Sequence, residues 1–146
     1  MDRQDFVKGI FMRKALIASL AAAALVAPAA ADARPRLSPE AELAKILDGR
    51  VAGEPQNCIF LPSIRGSRIV DKTAIVYDAG RTLWVNRPRS GARSLDDDDI
   101  LVTNLHGSSL CSIDIVSLHD RYGHFYSGFV GLGEFVPYRK LASAGN

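Results

Sequence analysis

The sequence predicts a mainly β domain, a small antiparallel β-barrel or sandwich with one short N-terminal helix. Three observations carry this. From Cys58 onward, short runs rich in β-branched and aromatic residues recur between turn residues. Residues 73–77 and 82–85 are apolar at every other position and also between them, so a hairpin made from them is apolar on both faces and belongs inside a barrel or sandwich. One helix start signal, Ser38-Pro39, precedes the runs.

Residues 1–33 read as a secretory signal peptide. Arg13 and Lys14 form the basic start, residues 15–26 the apolar stretch, and the small residues from Pro28 to Ala33 offer two overlapping A-x-A cleavage positions. Met12 opens a compact signal by itself and is an alternative start. A membrane anchor needs about 20 predominantly apolar residues. This run is shorter and mostly alanine, and no cysteine follows it to make a lipoprotein. The expectation is a periplasmic or secreted protein with no membrane span after cleavage.

Residues 34–56 are expected to hold the helix and a linker, 57–140 the β domain and 141–146 a frayed tail. The helix covers 38–49, with Ser38 as cap, Pro39 in the first turn, Glu40 and Glu42 near the positive end, and Gly49 past the finish. Leu43, Ile46 and Leu47 share its core-facing side.

Strands are expected at 58–61, 68–70, 73–77 and 82–85. With Ala79-Gly80 as a two-residue turn, Asp78 faces Arg81, Val76 faces Leu83 and Ile75 faces Trp84. Residues 86–99 interrupt the strands with a surface loop, basic at Arg87, Arg89 and Arg93 and then acidic from Asp96 to Asp99. Strands resume at 100–103 and 111–118, where Cys111, Ile113 and Ile115 alternate with Ser112 and an outward Asp114. Residues 125–138 combine Gly128, Gly131 and Gly133 with bulky aromatics, the composition of bends and close backbone approach.

The net charge is +2, and the basic and acidic side chains of residues 34–146 nearly balance. No global field draws in nucleic acid, so a nucleic-acid partner is not expected. Cys58 and Cys111 both follow the signal, and an even cysteine count in an oxidising space predicts one disulfide. Free thiols are the alternative. A redox pair is disfavoured because there is no C-x-x-C and no neighbouring His or Lys.

No catalytic set emerges. The G-x-S-x-G elbow, the phosphate loop and the dinucleotide fingerprint are all absent. Asp96, Asp97, Asp98 and Asp99 offer hard oxygens but lack the spacing of a calcium loop, so a solvated loop pairing with the nearby arginines is the plainer reading. His106, His119 and His124, with Asp114 and Asp120, lack zinc spacing; His119 to Gly123 reads first as a polar turn. No cofactor is expected. Arg65, Arg68, Arg87, Arg89 and Arg93 are the candidate binding patch, with an envelope protein or an anionic envelope component as partner. Trp84, Tyr77, Phe125, Tyr126 and Phe129 are either core or a ligand groove.

Asn57-Cys58-Ile59, Ser63-Ile64-Arg65 with Ser67-Arg68, the 110–114 stretch Leu-Cys-Ser-Ile-Asp, and Gly131-Leu132-Gly133-Glu134-Phe135 together resemble a family of small exported proteobacterial proteins known only as a domain of unknown function. The resemblance covers about residues 54–138, and the acidic run departs from it within a loop. It implies export and a β-rich domain and carries no catalytic residue. The leading functional expectation is therefore a non-catalytic binding or envelope-associated module. A small hydrolase or metal enzyme using His119 and His124, and an inhibitor of an exported enzyme, are the alternatives.

Overall fold

The computed structural model describes residues 36–105 and 107–141. The expected signal peptide, the alternative start at Met12, His106 and residues 142–146 lie outside the described residues.

Ser38 caps α1 (Pro39–Ile46), its Oγ accepting from the Ala41 N–H at 3.3 Å, with Glu40 and Glu42 in the first turn and Lys45 in the last. The helix is shorter than predicted because the chain turns out of it from Leu47 to Gly49. Gly49 takes φ +69°, which glycine adopts without strain, and the Arg50 N–H donates back to the Leu47 carbonyl at 3.0 Å.

The strands are β1 (Arg50–Ala52), β2 (Cys58–Phe60), β3 (Gly66–Val70), β4 (Ala74–Asp78), β5 (Thr82–Asn86), β6 (Asp99–Thr103), β7 (Ser109–Cys111), β8 (Ile115–Asp120), β9 (Tyr126–Gly131) and β10 (Phe135–Lys140). They form a five-stranded sheet ordered β1-β10-β5-β4-β3, a three-stranded sheet β6-β8-β9 and a two-stranded ribbon β2-β7, with every pairing antiparallel. The domain is mainly β with one short helix. Residues 34–56, read as helix and linker, also carry β1, an edge of the large sheet.

Strand alternation divides the core in two. Val70, Ala74, Val76, Leu83 and Val85 point to the side where Leu43 of α1 is buried, with Ile46 and Leu47 beside it. Ile69, Ile75, Tyr77 and Phe135 point to the other side. There they meet Val116, Leu118 and Val130 of the three-stranded sheet and Ile59 and Leu110 of the ribbon. The β4–β5 hairpin is thus apolar on both faces for the expected reason: each face has its own cover.

Its register differs from the expected one. Val76 pairs with Val85, Tyr77 with Trp84 and Asp78 with Leu83, and the Ala79 N–H bonds the Thr82 carbonyl, so the turn is Gly80-Arg81. Gly80 has φ +76°, the conformation a type II′ turn requires at its first central residue. The expected Asp78–Arg81 ion pair is replaced by Asp78 Oδ1 accepting from the Gly80 N–H at 2.6 Å. Because the shift moves each partner by two positions, every side chain keeps its predicted face.

The predicted strand 111–118 is two strands in different sheets. Asp114 does not serve as an outward strand residue. Its Oδ2 accepts from the Cys111 N–H at 2.7 Å while its own N–H donates to the Cys111 carbonyl at 3.0 Å, which reverses the chain between β7 and β8. The 86–99 loop is also less superficial than expected. Leu95 is fully buried in the core, and Arg89 and Ser90 hydrogen-bond Gly131.

Candidate functional site

The chemistry-bearing residues singled out in the sequence are dispersed. Arg87 forms a two-pronged ion pair with Glu40 of α1, with both N···O distances 2.8 Å, rather than meeting the acidic run. That pairing holds the Glu40 carboxyl below the usual carboxylate range and the Arg87 guanidinium above its own. Arg89 donates to the Ile113 carbonyl at 3.4 Å, and Arg65 lies against Gly80. Arg93 sits exposed in the 3-10 turn Ala92–Ser94. Arg68 lines a cavity of about 490 Å³ with Glu42, Asp97, Asp99 and Arg121. These arginines therefore do not make one patch.

Of the acidic run, Asp96 and Asp97 come within 4.8 Å of Asp71, from the β3–β4 turn, measured between one carboxylate oxygen of each. The loop's own backbone already uses these oxygens: the Asp97 N–H donates to Asp71 Oδ1 and the Asp98 N–H to Asp96 Oδ1, each at 3.1 Å. Asp99 is separate and buried, accepting from Ser127 Oγ at 2.8 Å. His119 and His124 do not face each other as paired ligands, since His119 Nδ1 lies 3.3 Å from the His124 carbonyl oxygen and its ring meets Tyr126 edge-on. The aromatics split as well: Tyr77 is core, Trp84 is half-buried against it, and Phe125, Tyr126 and Phe129 are exposed.

A site that the sequence did not reveal lies where β1, β10 and β5 end together. Register sets Arg50 opposite Lys140 and Arg139 opposite Thr82, and the type II′ turn delivers Arg81 to the same place. Arg50, Arg81, Arg139 and Lys140 line a cavity of about 620 Å³ with Gly80, Thr82 and Leu141, and among the described residues no carboxylate is in that lining. Arg50 Nη1 donates to the Arg81 carbonyl at 3.1 Å and Arg139 Nε to Thr82 Oγ1 at 3.4 Å, which holds two guanidinium groups and leaves other N–H donors of each without a partner among the described residues. Among the described residues, none of the four is in a salt bridge.

Like charges directly opposite on paired strands repel. The Arg50–Lys140 pairing thus carries a local cost that nothing in the cavity neutralises, and an anion placed there would remove it. The only sequence signal was the Arg139-Lys140 pair; Arg50 and Arg81 stand alone, 89 and 58 positions before Arg139, and only the strand order joins them.

No family model matches the chain, no curated protein matches it, and no solved structure matches it.

Proposed function

We propose that this chain is an exported, non-catalytic binding domain that takes an anionic group of an envelope component into the Arg50–Arg81–Arg139–Lys140 cavity. The observation that carries the reading is four cationic residues lining one concavity at the sheet's end, with no carboxylate among the described residues of its lining. Guanidinium forks suit the paired oxygens of phosphate and carboxylate groups. The hydroxyl in the described lining, Thr82, is taken up by Arg139 with no His or carboxylate base beside it, so the cavity is suited to holding an anion rather than to cleaving one.

Residues 1–33 act in this reading as a cleaved signal peptide that delivers the domain to the periplasm or beyond. The Cys58–Cys111 disulfide supports that location, because such bonds persist in oxidising compartments. Membership of the small exported proteobacterial family it resembles is part of the same proposal. The shared core of the three sheets supports a sandwich over a closed barrel, since the five-stranded sheet ends at β1 and β3 without those strands pairing.

The test is calorimetric titration of the protein, as its own cell processes it, with inorganic pyrophosphate and with citrate. Binding that weakens with added salt and falls about tenfold or more in Arg50→Ser/Arg139→Ser is expected. Absence of heat with both probes, or identical affinity in the double variant, would overturn the reading.

A further inference from the structure

Among the described residues, two buried side-chain polar atoms have no hydrogen-bond partner, Asp99 Oδ2 and Tyr77 Oη. Buried polar atoms are ordinarily paired, and a carboxylate oxygen most of all. Both residues face the space between the sheets. Tyr77 does so from β4, and Asp99 from the start of β6, where it alternates with Leu101, which packs on the same core. β3 ends the five-stranded sheet and β6 ends the three-stranded one, so this space opens between two strands with no described partner on that side.

The opening is built as two recesses that share Ser67 and Leu101. The larger, about 490 Å³, carries the charged side chains of Glu42, Arg68, Asp97, Asp99 and Arg121 in its lining. Among the described residues, none of these five forms a salt bridge with another. Asp99 is only 8% exposed, and its Oδ1 is already taken by Ser127 Oγ, which leaves Oδ2 for a ligand. Register sets it opposite a second carboxylate, Asp120, and like charges so opposed favour a cation beside them. The smaller recess, about 260 Å³, has an apolar wall of Leu61, Ile64, Leu101 and Leu110 and includes Tyr77.

This combination narrows the ligand's chemistry. A bare metal cation would meet two guanidinium groups and a simple anion would meet three carboxylates, whereas a molecule with both signs meets each with its opposite. We propose that the two recesses together bind a free α-amino acid with an apolar side chain. Its ammonium donates to Asp99 Oδ2, its carboxylate accepts from Arg68 and Arg121, and its side chain lies along Leu101 into the smaller recess. Oδ2 is closed to water beforehand, so the ligand enters as the two exposed arginine side chains turn onto its carboxylate, a rotamer change common on binding. The larger recess falls within the roughly 300–1,000 Å³ of small-molecule sites. It shares no lining residue with the cationic cavity, so the two sites stand or fall separately.

Calorimetric titration of the protein, as its own cell processes it, with each enantiomer of phenylalanine, with phenethylamine and with phenylpropionate tests this. The expected result is that one enantiomer binds about tenfold or more tighter than either single-charge analogue. That affinity should fall about tenfold or more in Asp99→Asn and in Arg68→Ser/Arg121→Ser, with thermal unfolding still cooperative. The arginine variant changes exposed side chains alone and so guards against an Asp99 variant that fails to fold. Absence of binding by both enantiomers overturns the proposal and leaves Asp99 Oδ2 to a buried water. An analogue with one charge that binds as well as phenylalanine also overturns it, as does an affinity indifferent to the arginine variant.

Discussion

Asn86 is a buried amide inside β5, a position where an unsatisfied polar group would be costly. It is satisfied on both sides. Its Nδ2 donates to the Gly133 carbonyl at 2.6 Å and its Oδ1 accepts from the Gly133 N–H at 3.1 Å. This clamp gives a physical meaning to the 131–135 segment Gly-Leu-Gly-Glu-Phe. Leu132 and Phe135 insert into the core on either side, and a side chain at Gly133 would collide with the Arg87 carbonyl. Asn86→Ala should therefore lower stability by about 2 kcal/mol, because it strands a backbone donor and acceptor together rather than removing one exposed bond. Urea unfolding measures this, and a midpoint matching wild type would show that the clamp is replaceable by water.

At the scale of elements, α1 is tied to the end of β5 by the Arg87–Glu40 pair as well as by Leu43. The hydrogen bonds from Arg87 are the main cause of the lowered Glu40 pKa. A carboxyl whose pKa is lower folded than unfolded contributes stability above the ordinary carboxylate range, and that contribution is lost as pH falls through the lowered value. Both side chains are more than half exposed, so the contribution is modest and screened by salt. The sharper readout is the titration itself. In Arg87→Ser the Glu40 midpoint, followed by carboxyl carbon NMR, should rise to the ordinary range. An unmoved midpoint would mean that the pair does not persist in solution.

Over the whole molecule, what the sequence disclosed were those features that depend on local periodicity: the helix cap at Ser38, the two-faced hairpin and the mainly β composition. What it concealed depends on partners far along the chain. The β4–β5 register turned on whether Gly80 is the first or second turn residue, which strand twist decides. The break at Asp114 turned on a side chain bonding backward to Cys111, although the run alternates as a strand would. Of the cationic cavity only the Arg139-Lys140 pair was visible in the sequence, because β1 has three residues and acquires its place only by pairing with β10.

The disulfide joins these levels, and its prediction follows from topology. Cys58 and Cys111 are directly opposed on β2 and β7, with Cα atoms 4.0 Å apart. The Ser112 N–H bonds the Asn57 carbonyl at 2.7 Å, which makes the next pair, Cys58 and Cys111, the close non-hydrogen-bonded one where a bridge spans the strands. The bridge itself lies at the surface, while Ile59 and Leu110 beside it enter the core. Between the two cysteines, 53 positions apart, run β3, β4, β5 and β6, strands of both larger sheets, so the cross-link restricts about half of the unfolded domain. The chain-entropy model assigns roughly 4 kcal/mol to a loop of this length, against a typical stability of 5–15 kcal/mol. Cys58→Ser/Cys111→Ser should lower stability by about 2–4 kcal/mol with the same fold by circular dichroism. Equal urea midpoints for the oxidised, reduced and double-serine proteins would show instead that the ribbon holds through Ile59 and Leu110 alone.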